Sequence, residues 1–353
     1  MTPDRFAEIL GRFGDVCVAV VGDYFLDKYL IIDPGLGEPS IETGLEAHQV
    51  VGKRISPGAA GTVVSNLQAL GVGRIKAVGV TGRDGEGFEL RQGLQAWGVD
   101  TDGLIADAGI FTPTYTKPMI MQADGTERES NRIDIANRQP LSDELQDAVA
   151  ERIEACAGEV DGMIIADQVA EPELGVINAR IRQLICRIGE ERPEMPLLVD
   201  SRANIGEFVN VMVKPNASEG AHAVGMEIAG EGGPEEAAEI TRRLAERTRR
   251  PVYLTLGANG IAARDGETFV HWPGYTADGP IDIVGAGDST TAGIVPALCA
   301  GASAAEAALF GNLAASITVQ QIGVTGTASP AQMLARFAEY RQRYPDATTP
   351  GNT

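Results

Sequence analysis

A glycine-rich turn in the last quarter of the chain has the residue types that phosphoryl transfer needs. The stretch Asp282-Ile-Val-Gly-Ala-Gly-Asp288 precedes a predicted helix. Gly285, Ala286 and Gly287 let consecutive backbone N–H groups point into one concavity, and the helix adds its positive end. Such a nest binds anionic oxygen, while Asp288 at its mouth is placed to take a proton from a hydroxyl that attacks phosphorus. The alternative is a plain glycine-rich turn with an N-capping aspartate.

Strands and helices that alternate along the chain must position this turn. Six apolar runs of strand length are continuous, which is typical of strands covered on both faces. They are Val16–Val21, Ile75–Val80, Met163–Ala166, Leu197–Val199, Val211–Val213 and Val252–Leu256. The helix-like stretches cover 59–70, 84–97, 142–156, 172–188, 234–248, 287–300, 303–321 and 330–343. The alternation predicts an α/β fold with a doubly wound, mostly parallel sheet and helices on both faces.

Polar side chains lie where several of these strands end. Asp23, Asp167, Asp200 and Asn216 each follow an apolar run. In open α/β sheets, ligands bind outside the carboxyl ends of the strands. We therefore expect the functional site at this edge of the sheet.

Two segments interrupt the alternation. Residues 29–56 show no helical period, and residues 110–135 predict a hairpin around the turn Asp124-Gly125. Together they predict a small β-lid that covers a site or pairs subunits. The domain organisation that follows is one domain over 1–345 and a flexible tail over 346–353.

The composition excludes several classes of function. Lys plus Arg number 29 and Asp plus Glu 49, so the formal charge is −20, which disfavours nucleic-acid and membrane partners. The three histidines are far apart, and the four cysteines have no CxxC spacing, which disfavours zinc chemistry and a hydrolase with a histidine base. Without a signal-peptide pattern, and with cysteines typical of reduced thiols, the chain is predicted to be cytoplasmic.

The glycine-rich turn resembles the DTxGAGD signature of the ribokinase-like (PfkB) carbohydrate kinases. Four further segments agree with that family in order and spacing over nearly the whole chain. They are Gly22-Asp23-Tyr-Phe-Leu-Asp27, Ser56-Pro-Gly-Ala-Ala-Gly-Thr62 at the substrate loop, Lys214-Pro-Asn216-Ala-Ser-Glu219 at the NxxE motif, and Thr255-Leu-Gly257-Ala-Asn-Gly260 at the TLGxxG nucleotide loop. The opening GDxxLDxY, Thr116-Lys117 and the ending Gly323–Pro330 resemble the heptose-7-phosphate kinase branch most.

The resemblance implies an ATP-dependent phosphotransferase that phosphorylates a hydroxyl of a sugar or sugar phosphate. Asp288 is then the general base, and Gly285, Ala286 and Gly287 supply the anion hole. Asn216 and Glu219 would organise Mg²⁺ and phosphate oxygens through water. The nucleotide is assigned to Thr255, Gly257, Gly260 and Asn312. A monovalent cation, K⁺, is an open alternative at Asp282, Val284, Thr318, Gln321 and Gly323.

The acceptor is assigned to the other side of the turn. Asp23 is expected to bind two vicinal hydroxyls, as sugar sites require. Lys117 and Arg132, on the predicted lid, are expected to meet an anionic acceptor. The complete set expected to bind the acceptor is Asp23, Gly58, Ala59, Thr62, Lys117, Arg132 and Asp167. A homodimer through the lid is expected, because such dimers are common among relatives.

The acceptor loop departs from the family pattern and leaves the acceptor open. Ala59 replaces the second glycine of the family's Gly-Gly pair, and Thr62 replaces its asparagine. A nucleoside kinase of the same fold and a non-catalytic sugar- or nucleotide-binding protein are therefore the alternatives. The heptose branch is often fused to a nucleotidyltransferase with an HxGH motif. That motif is missing from this sequence, so a single activity is predicted.

Overall fold

The computed structural model describes residues 1–228, 230, 232–275, 279–323 and 325–345, so the predicted tail over 346–353 lies outside the described residues. The strands, in chain order, are β1 (Cys17–Gly22), β2 (Tyr24–Pro39), β3 (Glu46–Ala59), β4 (Arg74–Gly82), β5 (Asp100–Asp107), β6 (Thr114–Met121), β7 (Glu127–Glu129), β8 (Ile133–Ile135), β9 (Gly162–Asp167), β10 (Leu197–Ser201), β11 (Met212–Val213), β12 (Val252–Thr255), β13 (Ile261–Asp265) and β14 (Thr268–Trp272).

Helices occupy most of the connections between strands. They are α1 (Pro3–Gly11), α2 (Ala60–Ala69), α3 (Gly85–Ala96), α4 (Asp143–Ala157), α5 (Ala179–Glu191), α6 (Ala217–Ala223), α7 (Pro234–Thr248), α8 (Ala286–Cys299), α9 (Ala304–Thr318) and α10 (Pro330–Arg343). None of those in the described ranges has both the length and the apolar composition needed to cross a membrane.

The main sheet has nine strands in the order β14-β13-β12-β11-β10-β9-β1-β4-β5. Every neighbouring pair from β12 to β5 is parallel, whereas the β12–β13 and β13–β14 pairs at one edge are antiparallel. The mostly parallel α/β sheet predicted from the sequence is therefore confirmed. Its order reverses around β1, which places the ends of β1, β9 and β10 at the middle of the carboxyl edge.

Both faces of this sheet are buried, which explains the continuous apolar runs. Val18 and Val20 of β1 pack in one core with α1, α2, α3, α8, α9 and α10. Ala19 and Val21 point to the opposite face and join the core formed with α4, α5, α6 and α7. A strand in this position has no solvent face, so polar residues appear only where it ends.

A second sheet, of five strands, has the order β3-β2-β6-β7, and β8 also pairs with β6. The long β2–β3 hairpin begins at Tyr24, which pairs with Ala59, and extends to Pro39 opposite Glu46. The predicted hairpin over 110–135 is present, since β6 and β7 pair antiparallel from Met119. This sheet is called the lid sheet below. Its role as a lid stays a prediction.

The helix predicted over 172–188 begins seven residues later, at Ala179. Glu173 has a φ of +63°, which does not continue a helix, and the Val176 N–H donates to a side chain outside the segment. Asn178 then caps α5 by accepting from the Ile181 N–H at 3.0 Å. The preceding residues therefore form a loop at the carboxyl edge of the sheet.

Candidate active site

Asp288 lies in the first turn of α8, half-buried, at the carboxyl edge of the main sheet. Its carboxylate accepts no hydrogen bond from any residue that the structure describes. Burial and the neighbouring Asp200 carboxylate raise the pKa of Asp288 to about 7, although Lys214 and Arg202 oppose this rise. A carboxylate with unused lone pairs and a pKa near neutrality is suited to accept a proton.

A buried ion pair supports the turn from below. Lys214 Nζ lies 3.0 Å from Asp200 Oδ2, and the lysine side chain is only 3% exposed. Thr291, one helical turn after Asp288, also donates to Asp200 Oδ2 at 3.2 Å. A Cβ atom at Gly287 would lie 3.5 Å from Lys214 Nζ, so the cation lies directly under the start of α8.

The starts of α2 and α8 face each other, and neither has a side-chain cap. A Cβ at Gly285, whose φ is +78°, would lie 3.4 Å from Thr62 Cγ2 in the first turn of α2. By contrast, α1, α3, α4, α5, α6, α9 and α10 each begin with a side chain that accepts from a first-turn amide. Two uncapped N-termini leave backbone donors for an anion between them.

The three amides predicted to form the anion hole are not equivalent. The Ala286 N–H donates to the Ile283 carbonyl at 3.2 Å and closes the turn. The amides of Gly285 and Gly287 have no hydrogen-bond partner within the described residues. Two of the three amides named for the predicted hole are thus unpaired, and their role as an anion hole stays a prediction.

Ala59 has a backbone conformation that favours glycine. Its φ and ψ are 53° and −117°, and it is the residue that joins β3 to α2. Ala59 stands where the family has glycine, yet it keeps the backbone conformation that glycine would adopt. This junction is therefore strained. The strain fixes the direction in which α2 enters the site.

A second aspartate of the first-strand motif lies against the acceptor loop. Asp27 Oδ1 accepts from Lys117 Nζ at 2.8 Å, and Lys117 also donates to the Tyr29 hydroxyl at 3.2 Å. A Cβ at Gly58 would lie 2.4 Å from Asp27 Oδ2, so the loop needs glycine there. The set expected from the sequence omitted Asp27, although the GDxxLD motif contains it. Asp27, Lys117 and Gly58 are called the acceptor wall below, and within it the charge of Lys117 is neutralised by Asp27.

Asp23 and Asp167 occupy buried positions behind the edge. Asp23 accepts from the backbone N–H groups of Gln168, Val169 and Val176 at 2.9, 3.1 and 2.7 Å. Burial nevertheless raises the pKa of Asp23. As placed, both its oxygens hold the loop before α5, so sugar binding by Asp23 stays a prediction that requires these contacts to open.

Asp167 is similarly engaged. It accepts from the Ser201 hydroxyl at 2.6 Å and from the Asn204 amide at 3.0 Å, and burial raises its pKa to about 6. Arg132, on the lid sheet, forms a bidentate pair with Asp134 at 2.7 and 2.8 Å and lies over the Tyr115 ring. The charge of Arg132 is therefore paired, whereas the two hydrogen bonds to Asp167 come from neutral groups and reach only its Oδ2.

The NxxE motif forms a reciprocal cap at the start of α6. Asn216 Oδ1 accepts from the Glu219 N–H at 2.9 Å, and Glu219 Oε2 accepts from the Asn216 N–H at 2.8 Å. Burial raises the pKa of Glu219. Its second oxygen, Oε1, accepts no hydrogen bond from the described residues, so it is available to a water molecule of a hydrated cation.

The donor set around Glu219 suits Mg²⁺ bound through water better than a fully protein-ligated metal. In the described part of the chain, no group of three His, Cys, Asp or Glu side chains is arranged to hold a metal ion. Mg²⁺ usually keeps several waters and binds one or two carboxylates together with substrate phosphates. Glu219 Oε1 and Asp200 are the carboxylate groups present for that role.

The residues assigned to the nucleotide converge beside the NxxE motif. Thr255 forms a parallel β-bridge with Asn216. Gly260 has a φ of +93°, and a Cβ there would come within 2.1 Å of the Trp272 carbonyl, so only glycine fits. Asn312 donates to the Pro273 carbonyl at 2.8 Å and holds the segment that follows β14. Gly257, with a φ of +52°, completes this loop.

The two loops assigned to a monovalent cation also meet. The Asp282 N–H donates to the Val319 carbonyl at 2.8 Å, just after Thr318. Asp282 Oδ1 accepts from the Val284 N–H, and Gln321 exchanges two hydrogen bonds with the Thr327 backbone. Gly323, with a φ of +73°, lies in the same connection. The groups left for a cation are the backbone carbonyls of these loops and Oδ2 of Asp282.

Comparison with known proteins identifies relatives along nearly the whole chain. The family described as pfkB family carbohydrate kinase matches residues 31–332. The bifunctional protein HldE of Geotalea uraniireducens (strain Rf4) is 30% identical over 352 residues, which cover 98% of this chain and 67% of that protein. The bifunctional protein HldE of Desulfatibacillum aliphaticivorans is 30% identical over 332 residues, covering 93% and 64%. This chain thus spans about two thirds of the length of these relatives.

Solved structures share the fold at lower sequence identity. Phosphofructokinase-2 from Escherichia coli in complex with potassium superposes with a TM-score of 0.67 at 17% identity, covering 92% of this chain and 99% of that one. Ribokinase from Arabidopsis thaliana complexed with ribose and ATP gives a TM-score of 0.62 at 19% identity, with coverages of 91% and 98%. These similarities confirm the ribokinase-like architecture predicted from the sequence.

Proposed function

Because the chain belongs to the pfkB family of carbohydrate kinases, we propose that it transfers the γ-phosphoryl group of ATP to a hydroxyl of a sugar or sugar phosphate, with Asp288 as the general base. One observation carries the assignment. An unpaired carboxylate with a pKa of about 7 lies at an uncapped helix start that faces the acceptor loop. The proposed base and the proposed anion site are therefore adjacent to the acceptor loop.

In the acceptor half of the reaction, Asp288 takes the proton of the attacking hydroxyl. The hydroxyl oxygen forms its bond to the γ-phosphorus as the bond to the ADP oxygen breaks. The unpaired amides of Gly285 and Gly287 stabilise the charge on the phosphoryl oxygens during transfer. Asp27, held by Lys117 beside Gly58, is the carboxylate best placed to orient the acceptor hydroxyls.

In the donor half, the ion pair of Lys214 with Asp200 supports the turn from below. The TLGxxG loop approaches the nucleotide with its backbone. Glu219 Oε1 and Asp200 would hold a hydrated Mg²⁺. When bound, the cation neutralises phosphate charge. The capping contact between Asn216 and Glu219 keeps that carboxylate in one orientation.

Three further assignments belong to this proposal. K⁺ is proposed for the carbonyls of the joined 282–284 and 318–323 segments, supported by the potassium complex of the phosphofructokinase-2 neighbour. A homodimer through the lid sheet is proposed because that sheet exposes apolar side chains. A cytoplasmic location stays a prediction of the sequence.

The branch of the family is supported by the relatives named HldE, which resemble this chain over most of its length. Ala59 and Thr62 nevertheless change the acceptor loop. The acceptor is therefore proposed only as a sugar or sugar phosphate, with heptose 7-phosphate as one member of the panel to be tested.

The test is ADP release from Mg-ATP with a panel of sugars, sugar phosphates and nucleosides. Asp288→Asn should lower kcat by about 10³-fold or more on the preferred acceptor, because the base is lost, while ADP binding is retained. Turnover by the variant at the wild-type rate would contradict the assignment. A preference for nucleosides would favour the nucleoside kinase alternative, and nucleotide binding without turnover would favour a non-catalytic protein.

A stability measurement controls this experiment. The folded-state pKa of Asp288 is raised from 3.8 to about 7, so folding favours the protonated acid. That contribution is present below pH 3.8 and is lost as the pH rises through 7. The asparagine side chain of Asp288→Asn carries no charge, so at pH 8 the variant should unfold at a temperature no lower than the wild type. Its loss of activity then cannot be attributed to unfolding.

A further inference from the structure

Most cations at this cleft are neutralised by a carboxylate of the chain itself. Lys117 pairs with Asp27 at 2.8 Å, and Lys214 pairs with Asp200 at 3.0 Å. Arg132, on the lid sheet, pairs with Asp134. None of these three brings an uncompensated charge to an anionic substrate.

Arg202 differs from them. Its Nε donates to the neutral Gln168 side chain at 3.0 Å, and no carboxylate of the described residues lies within ion-pair distance of it. Its two terminal guanidinium nitrogens have no hydrogen-bond partner in the same residues. In a chain with a formal charge of −20, an arginine left without an acid beside a candidate active site is a cation available to a substrate.

Arg202 lies at the carboxyl edge of the main sheet. It directly follows β10, and its backbone N–H donates to the Asp167 carbonyl at 3.1 Å. Its side chain lines a cavity of about 220 Å³ together with Glu219. The Arg202 charge lowers the pKa of both Asp288 and Glu219, so the guanidinium lies within electrostatic reach of the base and of the proposed Mg²⁺ carboxylate.

We propose that Arg202 contacts the γ-phosphoryl group of ATP through its two terminal guanidinium nitrogens and stabilises it during transfer. This inference rests on the proposed kinase function. The planar fork matches two phosphoryl oxygens, and the tether to Gln168 reduces the conformational freedom lost on binding. Backbone amides on the α8 side and the guanidinium on the β10 side then bind the same group.

A phosphoryl oxygen can come from ATP or from a phosphorylated acceptor. The Arg202 charge also lowers the pKa of Asp23 on the acceptor side, so the charge effects do not separate the two sources. The geometry favours ATP, because Arg202 lines one cavity with Glu219 at the donor position. The acceptor wall, by contrast, is built from Asp27, Lys117 and Gly58 of the lid sheet. A cation for an acceptor phosphate would be expected on that wall.

The test compares Arg202→Gln and Arg202→Lys with Arg152→Gln. Arg152 is exposed on α4 and has no ion pair within the described structure. Calorimetry with Mg-AMPPNP and Mg-ADP measures the part of nucleotide affinity that depends on the γ-phosphoryl group. Arg202→Gln should weaken Mg-AMPPNP by about 10- to 100-fold and leave Mg-ADP unchanged, whereas Arg202→Lys should lose less. Equal losses for both nucleotides, or no loss, would overturn the proposal.

Kinetics separate the two phosphate sources. Arg202→Gln should lower kcat by about 10²-fold or more with phosphorylated and unphosphorylated acceptors alike. An increase in KM confined to phosphorylated acceptors would instead assign Arg202 to the acceptor and refute this proposal. Because the calorimetric comparison needs no turnover, a wild-type protein that binds nucleotide but phosphorylates nothing would refute the proposed function while this inference is still tested.

A pH profile adds a readout that a purely structural role would not change. The charged groups that act on Asp288 are Asp200, Lys214 and Arg202. Removal of the Arg202 charge should raise the pKa of Asp288. The acid limb of kcat/KM should therefore move to higher pH in Arg202→Gln and stay in place in Arg152→Gln. An unmoved limb in both variants would contradict the proposed proximity.

Discussion

The protonation of Asp288 should control the rate at physiological pH. Its pKa is raised to about 7 by burial and by Asp200, so below pH 7 the carboxyl is protonated and cannot accept the hydroxyl proton. We expect kcat/KM to rise about tenfold per pH unit up to pH 7 and to level off above it. Steady-state rates between pH 5 and 9 test this expectation. An acid limb centred near pH 4 would show an ordinary aspartate and contradict it.

Substitution of Asp200 should move the acid limb of the kcat/KM profile in the direction opposite to that expected for Arg202→Gln. Asp200→Asn removes a negative charge that raises the pKa of Asp288, so the limb should shift to lower pH. The same change leaves Lys214 buried without its anion and should destabilise the fold by about 3–5 kcal/mol. Chemical denaturation and the pH profile of the variant test the two effects separately. A stable variant with an unmoved limb would refute this account of the ion pair.

The strain at Ala59 predicts a substitution that stabilises the fold, whereas Asp200→Asn destabilises it. Glycine adopts a φ of 53° and a ψ of −117° without the steric cost that alanine has. Ala59→Gly should therefore stabilise the protein by about 1 kcal/mol, measured by denaturant unfolding. Ala47→Gly, within β3, is the matched control and should destabilise it by about 0.5–1 kcal/mol. Destabilisation by both changes would show that Ala59 is not strained.

At the residue scale, the sequence restricts the position of Asp288 more closely than the acceptor contacts, and the role of Asp288 as the base stays a prediction. Asp288 could be assigned because a turn of Gly, Ala and Gly before a helix restricts where the next side chain points. Asp23 could not be assessed in this way, because its three amide donors come from residues 168–176, far away in sequence. Asp27 was overlooked for the related reason that its closeness to Gly58 depends on the pairing of β2 with β3.

At the scale of elements, the apolar pattern predicted the sheet and most helices, because both faces of that sheet are buried. The start of α5 was misplaced since Glu173 and Gly175 belong to a loop whose amides bind Asp23, a tertiary contact that periodicity does not report. The missing caps of α2 and α8 are informative in retrospect. Both helices begin after Gly or Ala rather than after Ser, Thr, Asp or Asn, which leaves their amides for a ligand.

The lid sheet is held to the main domain by charges. Lys28 at the base of β2 pairs with Glu86 at 2.9 Å and with Glu89 at 3.1 Å, and Lys53 of β3 also contacts Glu89. Both glutamates belong to α3, so a single acidic side chain, Glu89, is shared by the two strands of the hairpin. The orientation of the lid over the acceptor loop should therefore depend on this residue.

Glu89→Gln should loosen that attachment. We expect KM for the acceptor to rise roughly fivefold with little change in KM for ATP, and we expect the difference to shrink at high salt. Glu154→Gln, which breaks an exposed pair with Arg187, is the control. Equal effects on the two KM values would indicate general destabilisation rather than a loosened lid.

At the scale of the whole molecule, the site must bind anionic substrates although the protein carries a large negative charge. A formal charge of −20 repels ATP and sugar phosphates at long range. The cleft counters this with two uncapped helix starts and the unpaired Arg202. These groups act at short range, where screening by salt is weakest. Divalent cations bound with the nucleotide would lower the remaining repulsion.

The proposed dimer is also a property of the whole molecule. The tip of the β2–β3 hairpin exposes Leu36, Ile41 and Leu45, which are apolar side chains with no cover in a single chain. Burial of such a surface against a second copy is favourable, so we expect a mass of twice 37.1 kDa in solution by light scattering. The double variant Ile41→Lys/Leu45→Lys should run as a monomer and should bind ATP normally, because the nucleotide loop is on the main domain.

Leu334→Lys provides the control for surface charge alone, since Leu334 is exposed on α10, away from the lid sheet. Its mass should equal that of the wild type. A wild-type protein that runs at 37.1 kDa at micromolar concentration would contradict the dimer. If both lysine variants dissociate, the interface lies elsewhere. If the hairpin variant alone dissociates and its KM for the acceptor rises, the partner copy holds the lid in the position that the acceptor requires.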